Sequence, residues 1–220
     1  IWSHVLLASR KTVMDAGKFL IISNAGTSKV AGRLCNKNIF TTSWQNDQIP
    51  MALGEVLNKR GVKSLYIVAP NYAAGKDMAN GVERTFKGKL LGRDMTKWPA
   101  QKDFSAELAK VRSAKPEGVF IFYPGPHTDA FIRQYQQAGL SKTPLYSVFS
   151  VDSMSLRRLQ KAKVSGVLGT FTTGFWSPDL KTPGNKRFVA DFKKKYGKYP
   201  SHYGAQSYDS IMLIASAVEA

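Results

Sequence analysis

The chain has 220 residues, 43% of them hydrophobic and 11% aromatic, enough to bury a substantial core and too many for a chain disordered throughout. Its 32 Lys and Arg outweigh 15 Asp and Glu, giving a formal charge of +17, and the excess is spread along the chain: 15 basic against 6 acidic residues in 1–100, and 17 against 9 in 101–220. The longest apolar runs, such as Phe19 to Ile22 and Gly118 to Tyr123, are far shorter than the roughly 20 residues that a membrane-spanning helix needs.

In chain order, the first residues, Ile1-Trp2-Ser3-His4, carry neither an initiator Met nor the basic and apolar regions of a signal peptide, and read as the start of a truncated chain. They run into a first helix whose stripe is Val5, Ala8, Ser9, Thr12 and Val13. Runs of strand length then alternate with segments of helical period. The predicted strands are Phe19 to Ser23, Ser64 to Ala69, Leu90 to Met95, Gly118 to Tyr123, Leu145 to Phe149 and Val167 to Thr172. Several are apolar at consecutive positions, so helices should cover both faces of a parallel sheet. Leu53, Val56 and Leu57 mark a second helix, closed by Lys59-Arg60-Gly61. Asp103 reads as the N-cap of a helix with Phe104, Leu108 and Val111 on one face. Phe131, Tyr135 and Ala138 repeat that spacing before Gly139. The basic knot Lys186-Arg187, Lys193-Lys194-Lys195 and Lys198 lies on an amphipathic helix with Phe188, Val189, Phe192 and Tyr196, and a last helix carries Tyr208, Ile211, Met212, Ala215 and Val218 on one side.

The basic knot is a solvated helix face. No zinc-finger, RNP-like or basic-zipper pattern accompanies it, so nucleic acid is not expected as a partner; a positive field suffices for solubility and for steering small anions. No dinucleotide, P-loop, zincin or nucleophile-elbow motif is present in the sequence, and His4, His127 and His202 have no metal-ligand spacing. The expectation is therefore no enzyme, no catalytic residue, no cofactor and no metal. Two segments of like pattern, Phe40-Thr41-Thr42-Ser43-Trp44 and Phe171-Thr172-Thr173-Gly174-Phe175-Trp176, read as hinge crossings between two α/β lobes, with ordinary strand exits as the alternative.

Three loops that follow strands are rich in small and aromatic residues, where open α/β sheets hold ligands. Ser23-Asn24-Ala25-Gly26-Thr27-Ser28 offers backbone N–H groups and hydroxyls suited to a carboxylate. Asn71-Tyr72-Ala73-Ala74-Gly75 and Tyr123-Pro124-Gly125-Pro126-His127 put an aromatic ring or an imidazole at equivalent places.

Four stretches in order, Ile22 to Ser28, Ser64 to Gly75, Asp103 to Phe122 and Pro183 to Tyr208, make nearly the whole chain resemble a type I periplasmic solute-binding protein of the leucine/isoleucine/valine-binding class, the receptor component of an ABC importer. The resemblance implies two α/β lobes, with parallel sheets flanked by helices, that close on a small molecule. Lobe 1 would comprise residues 1–42 and 173–220 and lobe 2 residues 43–172. It also implies that the chain lacks the first strands of lobe 1 and the third crossing. An extracytoplasmic monomer working with a membrane ABC permease is expected, with a cytoplasmic sensor domain of the same architecture, an α/β enzyme and, third, a nucleic-acid binder as rivals.

Carried over residue by residue, the resemblance places Ser3, with His4 beside it, and Ala25, Gly26 and Thr27 on the ligand carboxylate, and Tyr72 over the ligand body. Pro126 and His127 lie where the class presents a further contact. Amino-acid binders of the class place a carboxylate where Phe149 stands, to hold the ligand ammonium. Burying an unpaired ammonium is costly, so Phe149, with Tyr72, His127 and Trp176, suggests an aromatic or other amino-free carboxylate. Asp152, three residues on, would restore an amino-acid ligand if it reached the site. Cys35 sits where members of the class often have a cysteine; pairing with a residue outside the chain and a buried free thiol are both open.

Overall fold

A computed structural model describes residues 2–220, which fall into two compact units, 2–46 with 175–220 and 47–174. The chain switches units at Asn46/Asp47 and Gly174/Phe175, where the sequence pattern places the boundaries at 42/43 and 172/173.

In chain order, unit 1 opens with α1 (Ser3–Asp15), β1 (Leu20–Ile22) and β2 (Ile39–Thr41), the two strands pairing in parallel with Ile21 opposite Phe40. Unit 2 then runs α2 (Gln48–Lys59), β3 (Ser64–Pro70), α3 (Ala73–Thr85), β4 (Lys89–Thr96), α4 (Ser105–Ala114), β5 (Gly118–Ile121), α5 (Pro126–Gln137), β6 (Leu145–Val148), α6 (Ser153–Lys161) and β7 (Phe171–Thr173). The chain finishes in unit 1 with α7 (Pro183–Tyr196) and α8 (His202–Glu219).

The five strands of unit 2 are all parallel, in the order β4-β3-β5-β6-β7. The unbroken apolar runs are the interior strands: β5 and β6 are buried at every position and β3 at all but its first residue, as a sheet covered on both faces requires. The edges β4 and β7 are only partly buried. Phe104, Leu108 and Val111 from α4, and Phe131, Ile132 and Tyr135 from α5, pack on one face with Val68, Val119 and Ile121. The core of unit 1 is much smaller, with Leu6, Ile22, Ala25 and Val30 packed against Leu20 and Ile39.

Several sequence expectations are corrected. The strand expected at Val167 to Thr172 is Phe171–Thr173; Ser165–Val167 is a 3-10 turn, and Leu168 points into solvent. Asp103 is not the N-cap residue of α4. That position is Phe104, and the Asp103 carboxylate instead accepts from the Ser105 amide at 2.9 Å. The buried side of α1 is Ser3 and Leu6 while Val5 is exposed; apolar residues occur all round this helix, so spacing does not select a face. On α8 the apolar side is the outer one, with Ile211 63% and Val218 81% exposed, and the buried residues are His202, Ala205, Gln206 and Ser210. Thr42, just past β2, donates to the Gln206 carbonyl at 3.1 Å and lies 2.7 Å from the Ser210 hydroxyl. Cys35 is a free and exposed thiol, which removes the buried alternative.

Candidate functional site

A parallel sheet with strand order 2-1-3-4-5 has a switch point where the connections run in opposite directions, and ligands bind outside the carboxyl ends of the strands there. Numbered within unit 2, β4-β3-β5-β6-β7 has that order, and the switch point lies between β3 and β5. The residues leaving those two strands are the predicted Tyr72, and Phe122 through His127. Tyr72 precedes α3 in extended backbone. Its ring lies near-parallel to Trp98 (centroids 5.0 Å apart, 18° between planes) and to Phe122 (6.4 Å, 29°), and Trp98 in turn lies 4.6 Å from His127. His127 Nε2 is 2.8 Å from the Pro99 carbonyl, tying the start of α5 to the segment after β4. Pro126, at the first turn of α5, is exposed beside it.

The loop after β3 depends on a close approach. A Cβ at Gly75 would fall 1.8 Å from the Pro70 carbonyl oxygen, so the first turn of α3 can sit against the end of β3 only with glycine there. The Asn71 amide donates to the Thr96 carbonyl at 2.7 Å, which brings the exits of β3 and β4 together.

Phe149 follows β6 with φ 54° and is 8% exposed, its amide reaching the Thr173 carbonyl at 3.4 Å. Positive φ in a bulky residue costs free energy and concentrates at functional sites. Of the four non-glycine residues with positive φ among those described, Lys115 and Lys163 end helices, whereas Ala25 (φ 142°) and Phe149 follow strands. Both of the latter are predicted ligand residues. Asp152 holds the start of α6. One of its carboxylate oxygens accepts from the Met154 and Ser155 amides at 3.0 and 2.7 Å, and the Ser155 hydroxyl accepts from the Asp152 amide at 2.7 Å. Together these bonds form a complete capping box.

In unit 1, the turn after β1 holds Ala25 and Thr27 buried and is braced by residues that spacing did not reveal. Asn46 is buried; its amide donates to the Gly26 carbonyl at 2.7 Å, its side-chain oxygen accepts from Trp44 Nε1 at 2.8 Å and its side-chain nitrogen donates to Ser3 Oγ at 3.2 Å. A Cβ at Gly26 would lie 2.5 Å from the Trp44 ring, so the indole packs directly on the turn. Ser43 Oγ accepts from the Ala25 amide at 3.4 Å. The structure thus joins Ser3 and Gly26 through Asn46, with Trp44 packed on the turn, Ala25 held by Ser43 and Thr27 buried in the same turn. His4 is exposed and meets Trp2 edge-on at 6.0 Å.

Trp176 is placed elsewhere within unit 1. It donates to Asn185 at 2.7 Å, meets Phe188 edge-on and lines a cavity of about 350 Å³ with Tyr208 and Asp209, whose carboxyl is pushed up from its ordinary range by burial. Its neighbour Phe175 is the aromatic that stacks on Trp44, 5.8 Å away. Among the described residues no cluster of His, Cys, Asp and Glu is arranged to hold a metal ion, and no helix is long and apolar enough to cross a membrane.

The family model of periplasmic binding proteins matches residues 1–220. The chain belongs to that family. It is 26% identical over 211 residues to a Leu/Ile/Val-binding protein homolog of Brucella abortus, covering 91% of this chain and 52% of the relative. It spans about half the length of the curated relatives it matches. A solute-binding protein of an ABC transporter from R. palustris in complex with benzoate superposes with a TM-score of 0.87 at 30% identity, over 94% of this chain and 57% of that one. A second, from Rhodopseudomonas palustris BisB5 in complex with 3,4-dihydroxybenzoic acid, gives 0.86 at 26% identity, over 99% and 60%. A branched-chain amino acid transporter substrate-binding protein from Streptococcus pneumoniae in complex with isoleucine gives 0.86 at 18%, over 98% and 61%, a likeness of fold. The two-lobed type I fold expected from sequence is therefore the fold of this member of the periplasmic binding protein family.

Proposed function

We propose that this periplasmic binding protein is the extracytoplasmic substrate-binding component of an ABC importer and captures a small carboxylate whose body is aromatic or otherwise free of an amino group. The row of rings at the switch point of unit 2, Phe122, Tyr72, Trp98 and His127, carries the reading. A flat apolar ligand gains contact area against fixed rings without burying a charge, whereas an ammonium needs a buried acceptor. Asp152, the acid nearest in sequence to Phe149, commits one carboxylate oxygen to two amides at the start of α6. The relatives bound to benzoate and to 3,4-dihydroxybenzoic acid add support.

In this reading the turn Ala25-Gly26-Thr27 and Ser3 receive the carboxylate, and Tyr72, His127 and Phe149 face the body. Capture is by lobe closure, with release of an unchanged ligand to a membrane permease. Closure follows only if the ligand makes contacts in the closed state that it lacks in the open one. The relatives named Leu/Ile/Val-binding favour a second reading, a branched-chain amino acid as ligand.

A thermal-shift and calorimetric comparison of benzoate, 4-hydroxybenzoate and leucine tests both. Aromatic acids are expected to raise the melting temperature, by an amount equivalent to about 2.7 kcal/mol at a ligand concentration one hundred times Kd. Stabilisation by leucine alone would replace the first reading with the second.

A further inference from the structure

Trp98 is the member of the ring row that the sequence pattern did not single out. It follows β4, the edge strand, rather than either strand of the switch point. Its indole nevertheless occupies the centre of the row, 5.0 Å from Tyr72 on one side and 4.6 Å from His127 on the other. It is half-buried and packs against the main core of unit 2. Two hydrogen bonds to its backbone carbonyls hold its segment in place: the Asn71 amide on the Thr96 carbonyl at 2.7 Å, and His127 Nε2 at 2.8 Å from the Pro99 carbonyl.

The consequence concerns Tyr72. A tyrosine ring at the mouth of a loop has two soft torsions, and its orientation is set by what it packs against. Tyr72 is held near-parallel to two neighbours, of which Trp98 is the nearer and the more closely aligned, at 18° against 29° for Phe122. A planar ligand gains from a ring already fixed in orientation. A puckered or branched aliphatic body of similar size does not depend on that angle, because its contacts are non-directional.

We propose that Trp98 is a specificity-determining positioning residue: by fixing the Tyr72 ring it makes the wall of unit 2 prefer a planar aromatic carboxylate to an aliphatic carboxylate of the same size. The inference rests on the ligand class proposed above. Its test uses two acids with one carboxylate and six ring carbons each, benzoate and cyclohexanecarboxylate, measured by calorimetry on the full-length protein.

Wild type is expected to prefer benzoate. Trp98→Leu is expected to weaken benzoate about 2- to 12-fold, the range of a lost aromatic pair, while cyclohexanecarboxylate changes far less, so the preference collapses. Trp98→Phe, which keeps an aromatic partner for Tyr72, restores most of the preference. In a Tyr72→Ala background Trp98→Leu should add almost nothing, because the residue acts through the ring already removed. Equal weakening of both acids, an unchanged benzoate affinity, or full additivity with Tyr72→Ala would each overturn the proposal. If Trp98→Leu does not fold, Trp98→Phe in the wild-type and Tyr72→Ala backgrounds decides, with a smaller loss in the same direction expected. A wild-type protein that binds neither acid overturns the ligand class itself, and this inference with it.

Discussion

A carboxylate at the start of a helix is worth most when it accepts two backbone N–H groups and its own amide is answered from the third helical residue, and Asp152 meets all three conditions with Met154 and Ser155. Asp152→Ala should therefore cost about 1 kcal/mol in urea unfolding, and Asp152→Asn much less, with benzoate affinity the same in both. Loss of ligand binding in Asp152→Asn with stability intact would instead give that carboxylate to the ligand. At this scale the sequence exposed Tyr72 and His127, because an aromatic or imidazole after a buried strand stands out. It did not expose Asn46 or Trp98, and it marked Trp44 only as the end of a crossing. Nothing about an asparagine twenty residues past a turn says that it closes back on that turn; only the 2.7 Å bond to the Gly26 carbonyl does.

Among the elements, the junction of β3 and α3 is the most demanding. Gly75→Ala would drive a methyl group into the Pro70 carbonyl oxygen, from which it would be 1.8 Å away, and that oxygen belongs to a buried strand that cannot retreat. The substitution should cost about 1–3 kcal/mol in thermal or urea unfolding and should also weaken benzoate binding through displacement of Tyr72. A fully stable Gly75→Ala protein would show that α3 starts elsewhere. The interior strands were legible because burial on both faces forces unbroken apolar runs, as in β3, β5 and β6. The inward faces of α1 and α8 were not. In α8 the buried side is mostly polar, with Thr42 bonded to the Gln206 carbonyl and beside the Ser210 hydroxyl, and a reading from hydrophobic periodicity points the other way.

For the molecule as a whole, the formal charge of +17 acts on encounter rather than on fold. A small anionic ligand should associate faster at low ionic strength, and its association rate constant, followed by stopped-flow fluorescence, is expected to fall several-fold between about 0.01 M and about 0.3 M salt, as the screening length shrinks from roughly 30 Å to under 10 Å. A rate independent of salt would leave the charge with no part in capture. The same spread of charge argued against a nucleic-acid groove, since no single face of the sequence gathers it.

Alternation of strand and helix periods was enough, in the linear chain, to indicate a parallel α/β protein, because those periods follow from local backbone preference and from which residues must be buried, while the periplasmic binding class came from the resemblance of four ordered stretches. The strand order that creates a switch point between β3 and β5 and the joining of Phe122, Tyr72, Trp98 and His127 in one row were decided only in three dimensions. They depend on contacts between residues far apart in sequence, whose energy exists only once the sheet has assembled.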